Sequence, residues 1–588
     1  MKYKKVRRVY SKRQKQAKHL SRQAEDNIEK LIFGRFEKLI VVKKFVSLWI
    51  LLWLLLASIT LWQITSLTSY FQTIQPVPGG IYNEGILGTV TNVNPIYATR
   101  EVDSSLSKLI FAGLFTHNNQ NQLVSCLASS YSVDSNETTY TVKLKPHLSW
   151  QDGQPLTAKD VVFTIDTIQN PDAQSPLYSS WLGIKVSALN ASTIQFKLPN
   201  PLASFPYNLT VGIIPQHLLA SIPPVDLRSA PFNTFSPVGA GPFAWHAIQV
   251  NGNTPQTASE QIALTPFKNY VLGQPKLSEF IVNAYANKNQ LTQSFNQGQL
   301  TAIAGLDHVP RQLQNLPALQ IHSPLLTAGN YVFFKTSSGL LSDVKIRQSL
   351  VLAANPAAII ARLSYQTIPV NEPLLIGQLA YNPKYAQVTD NVKQAQAMLS
   401  QDGWLKSKNG YLYKNNQQLA FNLIATDTPE NKLIGDMLKS QWLAVGAKVS
   451  LVFESANTYA TTLQDHNYDS TLDGISIGND PDVYVYWDRS QYQPSSTGLN
   501  LSEYDSLDAS QALEAGRTRL NPPLRVIKYQ PFLADWQKDA PALGLYQPRV
   551  MYITRQTVYG LSDHEINASK DRFDNVQNWE ILTANVTE

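Results

Sequence analysis

From Phe45 to Leu67 the chain carries no charged residue. Leu48, Trp49, Ile50, Leu51, Leu52, Trp53, Leu54, Leu55, Leu56, Ile59, Leu61, Trp62 and Ile64 make this run apolar almost throughout. A helix rising 1.5 Å per residue over this length extends about 34 Å, enough to cross a hydrocarbon core of about 30 Å. Lys43 and Lys44 close its N-terminal side, and Trp62 and Tyr70 fall near the other end. The positive-inside rule then puts residues 1–44 in the cytoplasm and everything after about residue 70 outside. A cleaved signal peptide is the competing reading. Against it, the preceding segment is long, the run exceeds an ordinary h-region, and no Ala-x-Ala cleavage pattern follows. No cysteine stands directly after the run to carry a lipid, so the expectation is an uncleaved, single-pass anchor over 45–69.

Residues 1–44 hold 15 Lys+Arg against 4 Asp+Glu, which accounts for more than the whole net charge of +6. The remainder is mildly acidic, and nucleic-acid binding by the folded body loses its electrostatic basis. Within 20–41, Leu20, Ile28, Leu31, Ile32, Phe36, Leu39 and Ile40 recur near helical spacing among Lys and Arg. This pattern fits an interfacial helix on anionic lipid, and equally a solvated basic arm that only fixes topology.

The remaining length and a 43% hydrophobic, 16% charged composition specify a large folded body. Gln75-Pro76-Val77-Pro78-Gly79-Gly80 cannot continue a helix and reads as part of a linker over 70–80. Thr138–Leu144 and Ser192–Leu198 alternate as half-buried strands, here expected at the edges of small sheets. Asp103–Phe111 and Val344–Leu363 carry apolar positions at helical spacing, so the body mixes helix and strand. Cys126 is the only cysteine, which excludes an intrachain disulfide; its neighbours Leu123, Val124 and Leu127 suit a small buried residue.

Motifs for catalysis are wanting. There is no nucleophile elbow, no His-Glu-x-x-His and no phosphate loop; Gly80 and Gly85 share its spacing, but Ile86 and Leu87 stand where Lys and Ser/Thr are required. The nine histidines are scattered singly, and neither a metal nor a cofactor is expected. Asp469, Asp473, Asp480, Asp482 and Asp488 do cluster, interleaved with Tyr484, Tyr486 and Trp487. Acids beside aromatic rings suit a binding site for a cationic or peptide ligand; a hydrolase using these carboxylates is the alternative.

Several ordered segments resemble the extracellular solute-binding proteins of family 5, which serve dipeptide, oligopeptide and nickel ABC importers. Val93-Asn94-Pro95 followed by Leu109–Phe115 is similar to that family's opening segment. Leu148-Ser149-Trp150-Gln151-Asp152-Gly153-Gln154-Pro155-Leu156-Thr157-Ala158-Lys159-Asp160-Val161-Val162-Phe163 is similar to its strongest signature. Its physics is legible alone: Asp152-Gly153 turns the chain, and Thr157 stands as N-cap three residues before Asp160 at the head of an apolar helix face. Pro237–Phe243, Val344–Leu350 and Tyr381-Asn382-Pro383 through Gly403-Trp404 resemble later segments in the same order.

The resemblance implies an α/β, two-lobed periplasmic-binding fold of the large peptide-binding type, with a hinge. Lobe one is expected over 81–329 with a small inserted subdomain at about 116–235, lobe two over 330–546, and a return to lobe one over 547–588. Hinge crossings are expected near Gly329-Asn330-Tyr331 and Leu545-Tyr546-Gln547. By the same resemblance, Thr99, Arg100, Glu101 and Val102 line the ligand from lobe one, and Gly474, Ile475 and Ser476 from lobe two. Asp480, Asp482, Tyr484 and Trp487 complete the expected set. Where peptide-binding members place an Asp for the peptide ammonium, this chain has Ile477 or Gly478, depending on the alignment anchor. Asp480 is the nearest acid that could replace it, or is only the starter of an Asp-Pro turn. The function implied is a monomeric, membrane-anchored receptor outside the cytoplasm, not an enzyme. It would deliver peptides or a related small solute to ABC permease subunits; a surface sensor or adhesion protein on the same fold is a further alternative.

Overall fold

The computed structural model describes residues 17–18, 20–26, 43–70, 72–252, 254, 258–492 and 498–587. The chain divides into two compact units, one of Met1–Pro76 with Thr583–Glu588 and one of Val77–Leu582.

In the first unit a single helix runs from Lys43 to Tyr70, and its Lys43–Ser66 stretch is long and apolar enough to cross a membrane. Two of its hydroxyls turn back onto the helix, Ser58 Oγ donating to the Leu54 carbonyl (2.8 Å) and Thr60 Oγ1 to that of Leu56 (2.7 Å). Such back-bonding satisfies these two hydroxyl donors without a partner from outside the helix. The segment expected as a linker is a strand instead: Gln72–Val77 pairs with Leu582–Thr587 in a two-stranded sheet. The helix ends at Tyr70, and Pro76 lies inside this strand; a two-stranded sheet has only edges, where a missing N–H is tolerated. The amphipathic pattern over 20–41 lies, beyond residue 26, outside the described residues.

The second unit is built on two large sheets, each with its own cores, and smaller sheets beside them. In lobe one, the seven-stranded sheet runs in the order Gln320–His322, Tyr552–Thr554, Ala302–Ala304, Ile81–Leu87, Glu279–Tyr285, Ser259–Pro266, Phe243–Asn251. Ile81–Leu87 is parallel to both its neighbours. Its buried Glu84 is bound by Arg572 (Nη2, 2.7 Å) and by the Tyr552 hydroxyl (2.8 Å). A satellite sheet of Ala128–Val133, Thr139–Leu144, Thr193–Lys197 and Lys185–Asn190 joins the same core through Tyr140, Val142, Ile194 and Phe196. Contrary to the expectation, Thr139–Leu144 and Thr193–Lys197 are its two central strands, paired with each other. Alternation reports that one face is buried; it is silent about how many neighbours a strand has.

Lobe two is built on a five-stranded sheet, in the order Lys448–Glu454, Ala420–Thr426, Ser470–Ser476, Ala328–Phe334, Ala542–Tyr546. One core on it takes Val332, Phe334, Leu472, Leu543 and Trp442; another takes Tyr331, Phe333, Ile475, Trp487 and Trp536. With both faces covered, Tyr331-Val332-Phe333-Phe334 is a continuous apolar run. This corrects the expected hinge: Asn330 and Tyr331 are paired on both sides within the sheet, Gly329 pairs with Ile475, and Tyr546 pairs with Asn330 at the sheet edge, with Leu545 in a bulge beside it. The chain passes between lobes over 323–327 and returns over 547–551. The two passages lie side by side, Leu326 N–H donating to the Pro548 carbonyl (2.9 Å) and Val550 N–H to that of Pro324 (3.0 Å). Of the expected crossing residues only Gln547 lies in them.

Candidate functional site

The Ser470–Ser476 strand meets Ala328–Phe334 along its whole length but meets Ala420–Thr426 only at Ser470 and Thr471. From Leu472 onward its outer edge has no strand partner among the described residues. Side chains meet the backbone there instead. The Leu472 carbonyl accepts from the Tyr459 hydroxyl (3.1 Å), Gly474 N–H donates to the Asp473 carboxylate (2.9 Å), and the Ser476 carbonyl accepts from the Tyr486 hydroxyl (2.6 Å). A side chain at 474 would not fit as the strand stands, because its Cβ would come within 2.7 Å of Asn330 Oδ1.

Three cavities open between the lobes, the smallest of them, about 650 Å³, bordered by Ser204 and Asn208 from lobe one and Asp482, Tyr484 and Arg517 from lobe two; the other two are larger. One, of about 900 Å³, is bordered by Asn121 and Tyr207 from lobe one, Thr327 and Glu565 near the crossings, and Asn479, Asp480 and Arg525 from lobe two. The other, of about 1030 Å³, takes in Leu472, Asp473 and Gly474 of the open strand. Asp307 and Arg311 face it from lobe one, Arg362, Tyr365 and Glu430 from lobe two, and Arg549 from the returning passage.

The acids expected in the site are mostly engaged. Asp480 is gripped by both terminal nitrogens of Arg525 (2.8 and 2.6 Å), and burial nevertheless pushes its carboxyl up. Asp482 pairs with Arg517 (3.1 Å) and accepts from Ser204 of lobe one (2.9 Å). It therefore ties the lobes together and borders the smallest of the three cavities rather than either larger one. Asp488 is buried and accepts from the Ser490 N–H (2.8 Å), while Asp469 accepts from the Asn422 N–H (2.8 Å). Asp473 is desolvated, its carboxyl pushed up to about 6.

Other expected residues fall elsewhere. Thr99, Arg100, Glu101 and Val102 border none of these cavities. Val102 is a core residue, and Glu101 heads the Glu101–Ile110 helix, where it binds Arg572 (3.1 Å) and the Ser569 hydroxyl (2.6 Å). Trp487 is fully buried, edge-on to Trp536 with ring centroids 5.8 Å apart. Tyr484 is half-buried beneath the Arg517 guanidinium, 4.2 Å from its ring centre. Ile475 points into a core and Ile477 is buried; Gly474 and Ser476 are exposed on the strand. Sequence reasoning passed over Arg525, Arg517, Asn121, Glu430 and Arg549, none of which carries a local motif. Cys126 is buried as expected, its thiol pushed up to about 11 by desolvation. Among the described residues no group of three or more His, Cys, Asp or Glu could hold a metal ion.

A hinged pair of α/β lobes, with an open strand edge and cavities between them, defines a receptor that encloses its ligand. The chain belongs to the bacterial extracellular solute-binding proteins, family 5, whose middle-region model matches residues 122–496. It is thus a solute-binding protein of the ABC-importer class and not an enzyme. The oligopeptide-binding protein AppA of Bacillus subtilis is 23% identical over 528 residues, covering 86% of this chain and 92% of that protein. Among solved structures, CtaP of Listeria monocytogenes gives a TM-score of 0.74 at 22% identity, over 86% of this chain and 99% of CtaP. NikZ of Campylobacter jejuni, solved in complex with Ni(L-His), gives 0.71 at 22% identity over 86% of this chain and all of its own. At this identity the structures establish the fold.

Proposed function

We propose that this protein is a membrane-anchored receptor that captures an extended peptide between its lobes and hands it to the permease of an ABC importer. The observation that carries this reading is the unpartnered edge of Ser470–Ser476. An extended ligand adds there as a strand, exchanging main-chain hydrogen bonds with Gly474 in place of the makeshift one to Asp473. Main-chain recognition is indifferent to side chains, and cavities of about 900 and 1030 Å³ leave room for varied ones and for water. The relatives support the reading: AppA was solved with a nonapeptide, and a Helicobacter pylori binding protein with the peptide STSA. The Lys43–Ser66 helix serves as the tether, keeping the body at the outer face of the membrane.

Native mass spectrometry of the purified full chain tests this directly. Co-purified masses that fragment as peptides are expected. A single non-peptide solute, such as a metal chelate, would replace the peptide reading while leaving the receptor role intact.

A further inference from the structure

We propose that the cleft selects its ligand through an acidic group, a carboxylate held at Arg549, and makes no demand for a free ammonium. The inference rests on the peptide reading above and specifies which end of the ligand is recognised.

The acids of the two larger cavities already accept from the protein itself. Asp480 is occupied by Arg525, an internal cation that takes the place a ligand ammonium would need. Glu565 accepts from the Gln547 amide. Glu430 accepts from two hydroxyls, of Tyr365 (3.0 Å) and Tyr546 (2.6 Å). Asp307 is paired with Lys288 (2.6 Å) and His308 (3.0 Å). Asp473 takes the Gly474 N–H and has the Tyr459 hydroxyl beside it.

Apart from Arg525, the arginines of these cavities show the opposite condition. Arg549 is part-buried on the returning passage, and one terminal nitrogen donates to the Ser323 carbonyl. Its Nε is buried with no acceptor, and it has no carboxylate partner among the described residues. Arg311 and Arg362 border the same cavity, and neither forms an ion pair among the described residues. A guanidinium cannot shed its charge, so a buried N–H without an acceptor is a standing penalty that only an incoming acceptor relieves. A carboxylate matches its fork with two parallel bonds.

The test is a random-sequence peptide pool made in four forms, with free or acetylated N-termini and free-acid or amidated C-termini, titrated against the full chain. Free acids are expected to bind at least about tenfold tighter than amides, with acetylation changing affinity by less than about threefold. Arg549→Gln is expected to abolish the preference for acids. Should that variant fail to fold, Arg362→Gln gives an independent, milder reduction, and the wild-type comparison decides alone. Tighter binding of free amines by about tenfold, or equal binding of acids and amides, overturns the assignment. If no form binds, the peptide reading fails, and the solute that co-purifies decides the anion assignment: an acidic one upholds it, one without an acid group overturns it.

Discussion

Glu372 sits at 0% exposure with one carboxylate oxygen accepting the Asn382 N–H (2.9 Å) and the other without a partner among the described residues. Desolvation pushes its carboxyl up to about 8. An acid whose folded pKa lies above its unfolded one costs nothing below the unfolded value, near 4.5, where both states are protonated. Between there and about 8 the unfolded state ionises first and stability falls; above about 8 the loss is complete. Glu372→Gln is expected to flatten this dependence and to raise stability at pH 8 by about 2 kcal/mol, residual solvent screening included. Denaturant midpoints measured at pH 5 and 8 check it, and an unchanged pH slope refutes it. Residue-scale features of this kind are poorly legible in sequence. Asp480 was visible as an acid before a proline, but its partner Arg525 lies 45 positions further on, in a helix with no motif to mark it. Trp487 likewise reads as a ring beside acids, while its burial depends on Trp536 and Phe333 reaching it from elsewhere in the chain.

Elements were more legible because their causes are local. The Ala158–Gln169 helix begins where Thr157 and Asp160 place it. The Asp160 carboxylate takes the Thr157 N–H (2.8 Å) and hydroxyl (3.2 Å), and also the Gln216 N–H (3.1 Å) of a segment 56 residues away. One acid therefore closes a helix start and pins a loop. Asp160→Ala should cost about 1–2 kcal/mol, the upper range for a cap, because two backbone donors are orphaned; equilibrium unfolding measures it, and a loss under about 0.3 kcal/mol would show the contacts to be incidental. The apolar pattern around Asn355-Pro356 resolves into two helices, Val344–Ala353 and Pro356–Ile360, with the Asn355 side chain capping the second (2.7 Å). What the sequence could not convey is adjacency. The central place of Thr139–Leu144 and the open edge of Ser470–Ser476 are both set by partners distant along the chain.

At the scale of the whole body, closure is held by few polar contacts. Asn121 Nδ2 donates to Asn479 Oδ1 (2.7 Å), Ser204 to Asp482 (2.9 Å), and the Ala203 N–H to the Arg517 carbonyl (2.9 Å). None is a large apolar interface, so the lobes can part at modest cost and a ligand touching both can bring them together. Small-angle scattering should show a smaller radius of gyration with saturating peptide than without. Asp482→Ala, which touches neither of the two larger cavities, is expected to weaken ligand binding by about three- to tenfold by disfavouring the closed state; calorimetry showing wild-type affinity would remove it from the closing contacts. The family segments were legible across most of the body because they encode turns, caps and core strands that recur wherever the fold does. The ligand chemistry was not, since it depends on which charges the folded lobes leave unspent.

The two side-by-side passages between lobes have a further consequence, for the order in which the chain can acquire its structure. Every strand of the lobe-two sheet lies within Ala328–Tyr546, so that sheet can close while later residues are still being synthesised. The lobe-one sheet cannot. Its Tyr552–Thr554 strand separates two others, and Phe573, Val576 and Trp579 complete its core. Arg572, the counter-ion of Glu84, arrives 488 residues after it. Until then a nascent chain exposes an unpaired strand edge and an uncompensated acid destined for burial, while its second lobe is already folded. The first lobe to be translated is the last to be finished, and factors that guard emerging chains against aggregation have most to do on lobe one.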